Sequence, residues 1–104
     1  MSQFDVYENP QAETHQVIPY LLDVQADLLD SLATRVVIPL LSVAATNKVI
    51  RHLNPQFLLG QATVCMSTAE LAGVPVRLLG NKVASLKDRR DDIIAALDFL
   101  LTGF

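Results

Sequence analysis

The chain has no tryptophan, one cysteine, four glycines and only eight basic residues among 104. A single cysteine, Cys65, excludes an intrachain disulfide framework. Four scattered glycines leave no glycine-rich loop to cradle a phosphate. Eight Lys and Arg against eleven Asp and Glu give a net charge of −3 and a pI of about 5.1. That balance argues against direct nucleic-acid binding, which needs a basic footprint to release counterions. The one dense basic cluster, Lys87, Arg89 and Arg90, alternates with Asp88, Asp91 and Asp92 and reads as a solvated helix face. No apolar run approaches the roughly 18 residues of a membrane span. The start shows no charged-then-apolar secretion signal. The expectation is a soluble cytoplasmic protein without membrane contact.

Convergent chemistry is equally scarce. His15 falls in a loop and His52 in Arg51-His52-Leu53-Asn54-Pro55, so no nucleophile, base and carboxylate are drawn together. Two histidines at unrelated positions make no metal spacing, and no cofactor is expected. Cys65 lies on a strand pattern and reads as a buried structural thiol. Asp23, Asp27 and Asp30 lack the glycine of a calcium loop and read as loop hydrogen-bonders. The pattern favours a binding protein over an enzyme.

What the chain does have is apolar mass. The apolar fraction is 51% and mean hydropathy is +0.35. That excess fits either a core rich in Leu and Val or an additional subunit interface. Residues 1–104 read as one domain, with no linker, repeat or low-complexity tract. Gln3 to Glu8 alternates like a half-buried strand, residues 9–15 form a loop, and Val17 to Val24 reads as a second strand entered at Pro19. Gln25 to Thr34 reads as a loop whose Leu28-Leu29 pair is either a plug under it or an exposed anchor. Arg35 to Val43 reads as a central strand interrupted by Pro39, and residues 44–51 are ambiguous, with a mobile loop at 45–48. Gln56–Leu59 and Thr63–Met66 flank Gly60-Gln61-Ala62 as a hairpin. Ser67 and Glu70 have capping-box spacing, which predicts a one-turn helix to Ala72 closed by Gly73. Val76–Leu79 reads as a strand before a Gly80-Asn81 turn.

A long helix ends the chain. Ser85 is its expected N-cap and Gly103 its stop. Leu86, Ile93, Ile94, Leu97, Leu100, Leu101 and Phe104 follow one apolar stripe, and Asp91, Ala95, Asp98 and Thr102 lie on another face. An apolar segment running to the last residue is expected to pack inward, on a second subunit, or on a partner. The expected core includes Phe4, Val6, Val36, Ile38, Phe57, Leu59, Val64, Ile93 and Leu97. Strands first and one helix last imply an α+β domain.

The order and spacing of Leu22-Asp23-Val24-Gln25-Ala26-Asp27-Leu28-Leu29-Asp30, Arg35-Val36-Val37-Ile38-Pro39-Leu40, Val74-Pro75-Val76 and Thr102-Gly103-Phe104 resemble the CcdB family of bacterial toxins over essentially the whole chain. The resemblance implies a bent antiparallel sheet of the SH3-like small-barrel kind shared with Kid and MazF, a small second sheet, and a C-terminal helix packed on it. It implies a homodimeric toxin of a toxin–antitoxin or plasmid-maintenance module, tied to regulation of its own operon. Such a toxin binds the A subunit of DNA gyrase, traps the enzyme on cleaved DNA, and is released by a CcdA-like antitoxin. Matched position by position, the gyrase-binding residues are Leu28, Leu29, Asp98, Leu101, Thr102, Gly103 and Phe104.

Three of these depart from the family pattern. Thr102 stands where the pattern has tryptophan, Phe104 where it has isoleucine, and Asp98 where it has asparagine. Threonine cannot stack on an arginine as tryptophan does. Two other functions compete: an mRNA endoribonuclease of the MazF and Kid kind, which needs a basic groove and an acid/base pair, and a non-toxic co-regulator that binds only the antitoxin.

Overall fold

The computed structural model describes residues 1–45, 49–50 and 52–103. Seven strands join one antiparallel sheet: β1 (Asp5–Glu8), β2 (Tyr20–Asp23), β3 (Thr34–Ser42), β4 (Gln56–Leu59), β5 (Ala62–Met66), β6 (Ala72–Pro75) and β7 (Lys82–Ser85). Their order is β4-β5-β3-β2-β1-β7, with β6 attached to β3. The sheet curls into a half-barrel, and helix α1 (Arg90–Thr102) packs against it. The small second sheet is continuous with the first. The start of β3 pairs with β6 (Arg35 with Val74) and its end with β5 (Leu41 with Cys65).

That change of partner explains why Pro39 does not interrupt β3. Its carbonyl accepts from the Ser67 N–H at 3.0 Å, so its nitrogen also faces the gap between β5 and β6. In an antiparallel strand a residue's N–H and C=O point the same way. The missing donor therefore falls where no strand lies opposite.

One sheet face is apolar by register. Val6 pairs with Leu22, Leu22 with Ile38, Leu40 with Met66, and Phe57 with Val64. All are buried, and Leu86, Ile93 and Ala96 close over them. Of the expected core, Phe4, Val6, Ile38, Phe57, Val64 and Ile93 are buried. Leu59 and Leu97 are partly buried against it, and Val36 is half-buried. Phe4 takes a positive φ of 72°, a backbone state costly for an aromatic residue. Its N–H bonds Asp23 O at 2.6 Å and its carbonyl accepts from Leu86 N at 2.8 Å, which holds the ring inward.

Local expectations fared unevenly. The β4–β5 hairpin turns at Gly60-Gln61 as expected, with Gly60 at φ +63°. Gly103 stops α1 at φ +78°, its N–H bonded to Phe99 O at 2.9 Å. Val76–Leu78, expected as strand, is instead a 3-10 turn, and the strands of this region are β6 and β7 on either side. Ser67 does bond Glu70, but the turn at Thr68–Glu70 is 3-10 and Gly73 lies within β6 rather than closing a helix. Ser85 is not the N-cap of the helix: its hydroxyl accepts from Lys87 N at 3.3 Å beside a 3-10 turn (Lys87–Arg89) that Leu86 precedes, and α1 starts at Arg90 after Arg89. The expected mobile loop at 45–48 lies largely outside the described residues, since 46–48 are not described. Among the described residues no helix is long and apolar enough to cross a membrane.

Candidate functional site

The opposite face of the sheet holds a buried polar network. Asp5, Tyr7, Asp23, Gln25 and Arg35 are all buried. Side chains alternate along a strand, so Tyr7 and Asp23 turn away from the core face that Val6 and Leu22 occupy. Arg35, fully buried, sits diagonal to Asp23 across β2 and β3. Its Nε and Nη2 reach Asp23 Oδ2 at 2.9 and 2.6 Å, and its Nη1 reaches Asp30 Oδ1 at 3.0 Å. Burial raises the Asp23 carboxyl above its ordinary value, while the Arg35 guanidinium and the Gln25 N–H pull the other way.

Tyr7 shows the same effect more strongly. Burial, then the nearby Asp5 and Asp23 carboxylates, push its phenol up to about 12. A raised native value means stability is fully present below the unfolded value of 10.0 and is lost as pH climbs through about 12. The expected loss is roughly 3 kcal/mol. Denaturant melts across that alkaline window, with Tyr7→Phe as control, check it: the variant should lack this loss.

The network sits under a loop. Residues 24–33 connect β2 to β3 and carry one 3-10 turn, Asp27–Leu29. Leu28 on that turn is 95% exposed and Leu29 48%, so the pair does not plug the space under the loop. The backbone beneath is pinned. Leu29 N donates to Ala26 O at 3.0 Å, Gln25 Nε2 donates to Leu29 O at 2.9 Å, and Gln3 N donates to Asp27 Oδ1 at 2.7 Å. Asp23, Asp27 and Asp30 are thus hydrogen-bonders, as the sequence implied, although Asp23 ends β2 and only the other two lie on the loop. No cluster of metal-ligating side chains occurs among the described residues.

The remaining residues stand at the far end of α1. Leu101 is 78% exposed, which takes it out of the buried stripe assigned from its spacing; Ala96, missed by that reading, is buried instead. Asp98 and Thr102 are exposed on successive turns, and the Thr102 hydroxyl donates to Asp98 O at 2.6 Å. Gly103 is exposed, and Phe104 lies outside the described residues. Within one chain the two groups are apart. Asp27 shares a cavity of about 220 Å³ with Gln3, Phe4, Lys87 and Arg90, at the start of α1. Leu101 follows Arg90 by three turns, about 17 Å along the axis. The structure gathers Asp98, Leu101, Thr102 and Gly103, and it does not bring Leu28 and Leu29 to them.

The residues weighed for catalysis are held elsewhere. His15 Nδ1 lies 2.8 Å from Asn9 O, and the His52 ring packs 6.4 Å from that of Phe99. Cys65 is buried in β5, where burial raises its thiol. The Arg35 network was missed from sequence, although an arginine heading a β-branched strand, with Asp23 and Asp30 nearby in the chain, was a visible signal.

A curled antiparallel sheet backed by a C-terminal helix defines the small toxin fold. Solved structures that share it include an endoribonuclease in complex with its cognate antitoxin from a Mycobacterial species (15% identity, TM-score 0.77, 97% of this chain and 94% of that one) and an endoribonuclease from a Mycobacterial species (16%, 0.71, 97% and 90%). At such identities the likeness is one of fold. The family model of the CcdB protein matches residues 3–103, and the chain belongs to the CcdB family of toxin–antitoxin toxins.

Proposed function

We propose that this protein is a toxin that acts in the cytoplasm by binding the A subunit of DNA gyrase and trapping it on cleaved DNA, and that a CcdA-like antitoxin neutralises it. One observation carries the reading. Leu28 and Leu101, two of the positions matched to the family's gyrase-binding surface, are the two most exposed large apolar side chains of the described residues, at 95% and 78%. Leaving such side chains in water forgoes about 1.5–3 kcal/mol each. A partner that covers them recovers it. Because one chain holds the two groups apart, the proposed surface draws on both copies of a homodimer. Supercoiling and cleavage assays with purified gyrase test the reading: accumulation of cleaved DNA is expected, and unimpaired supercoiling at micromolar toxin sinks it.

Thr102 sets the strength of that contact. Its exposed position on the last helical turn is where the family pattern carries tryptophan. Thr102→Trp is expected to tighten binding to a gyrase A fragment by roughly three- to thirtyfold, the equivalent of about 0.5–2 kcal/mol of cation–π contact. Calorimetric titration beside wild type reads it, and an unchanged affinity means gyrase is met in another register.

The fold of the two endoribonucleases favours a second reading, RNA cleavage. The residues here give it little to work with. Among the described residues the only fully buried ion pair, Asp23 with Arg35, is closed to a substrate, and net charge is −3. Incubation with labelled mRNA separates the two readings.

A further inference from the structure

We propose that Arg35, Gln25 and Asp30 are positioning residues: they hold the loop between β2 and β3 rigid so that Leu28 is presented ready-made to its protein partner. This rests on the reading of Leu28 and Leu29 as part of the gyrase-binding surface. The argument starts from an energetic mismatch. A buried arginine–carboxylate pair contributes little net stability, and apolar residues of the same volume serve a core as well or better. What apolar residues cannot do is reach two elements at once. One edge of the Arg35 guanidinium is fixed by Asp23, fully buried on β2. The other extends to Asp30, whose side chain is 54% exposed at the end of the Asp27–Leu29 turn.

Gln25 completes the brace. Its Oε1 accepts from Val36 N at 3.0 Å on β3, and its Nε2 donates to Leu29 O at 2.9 Å. Leu29 O also accepts from Leu32 N at 3.1 Å, and Asp30 N donates to Asp27 O at 3.1 Å. The loop backbone is therefore tied to the sheet on both sides of Leu28, while Leu28 itself touches almost nothing. A side chain 95% exposed has no packing of its own to fix its direction. Its direction comes from the backbone, and the backbone's from the brace. A loop ordered beforehand binds without the cost of ordering it, and a loop competent only part of the time binds more weakly by that fraction.

Asp30→Ala is the test, because it cuts the brace at its exposed end. The pair with an exposed carboxylate carries little stability, so the thermal midpoint should hardly move. Amide hydrogen exchange at Leu29, Asp30 and Leu32 should accelerate about tenfold, with exchange in β1–β3 unchanged. Affinity for a gyrase A fragment should fall roughly three- to tenfold as the competent fraction drops. Asp30→Asn, which keeps an acceptor for Arg35, should restore most of both. Leu28→Ala runs alongside and should weaken binding without changing exchange. Unchanged loop exchange in Asp30→Ala overturns the brace. So does faster exchange with undiminished affinity where Leu28→Ala does weaken binding. If Leu28→Ala leaves affinity intact, the gyrase-binding reading of the loop fails, and the positioning role fails with it.

Discussion

Deletion of Thr102, Gly103 and Phe104 is expected to abolish toxicity while leaving the fold and antitoxin binding largely intact. The helix that carries these residues is anchored well upstream, by Ile93 and Ala96, both fully buried. Thr102 and Gly103 are exposed. Their removal takes away the Thr102 link of the helix ladder together with the bonds from Gly103 N to Phe99 O and from the Thr102 hydroxyl to Asp98 O. Losing such a terminus costs on the order of 1 kcal/mol. A domain of this size tolerates that with a fall in Tm of about 4–8 °C. Growth of cells expressing the truncated chain, with circular dichroism on the purified protein, is the measurement. Leu101→Ala, which shortens no backbone, should move toxicity in the same direction. Continued toxicity of the truncated chain would place the gyrase contact elsewhere.

Arg35→Met is expected to be the most destabilising single change, by about 3–5 kcal/mol, because it strands the fully buried Asp23 carboxylate without its cation. Removing Asp23 alone, as Asp23→Leu, should cost a similar amount by leaving the guanidinium unpaired. The double variant Asp23→Leu/Arg35→Met should recover most of the loss, since neither charge then remains inside. Equilibrium denaturation of all four proteins gives the coupling directly. The pH dependence has a defined sign. Burial already raises Asp23 above its ordinary 3.8, opposed by Arg35. Without Arg35 the rise is larger. A raised native value means stability present below 3.8 is lost as pH rises through the native value. Arg35→Met should therefore lose more stability than the wild type as pH rises from mild acid to neutral. Four stabilities that add without coupling would show that the pair is not electrostatically linked.

The elements that were legible in the sequence are those fixed by neighbours in the chain. The β4–β5 hairpin needs only two alternating runs and a residue at Gly60 able to take a positive φ. The stop at Gly103 needs only its own left-handed conformation. Leu101 shows where that logic ends. Its spacing matched the stripe of Ile93 and Leu97, yet it is exposed, because spacing records which face a residue is on and not how much of that face the rest of the chain covers. Val76–Leu78 had the β-branched start of a strand, but β6 already pairs with β3 just before it and β7 with β1 just after, so the chain turns there.

The candidate site divides the same way. The amino-acid sequence determined its inventory through resemblance: the leucine pair, the helix-end positions and the family they mark. It also determined the α+β class, because apolar alternation and helical periodicity are local properties of the chain. Only the tertiary structure decided that Leu28 points outward, that Leu101 is exposed, and that Arg35 is buried between Asp23 and Asp30. The first and last depend on contacts across β2, β3 and the loop that joins them. Whether a leucine is exposed or fills the space under a loop, and whether an arginine is a surface charge or a buried one, depends on what residues distant in the chain place around it.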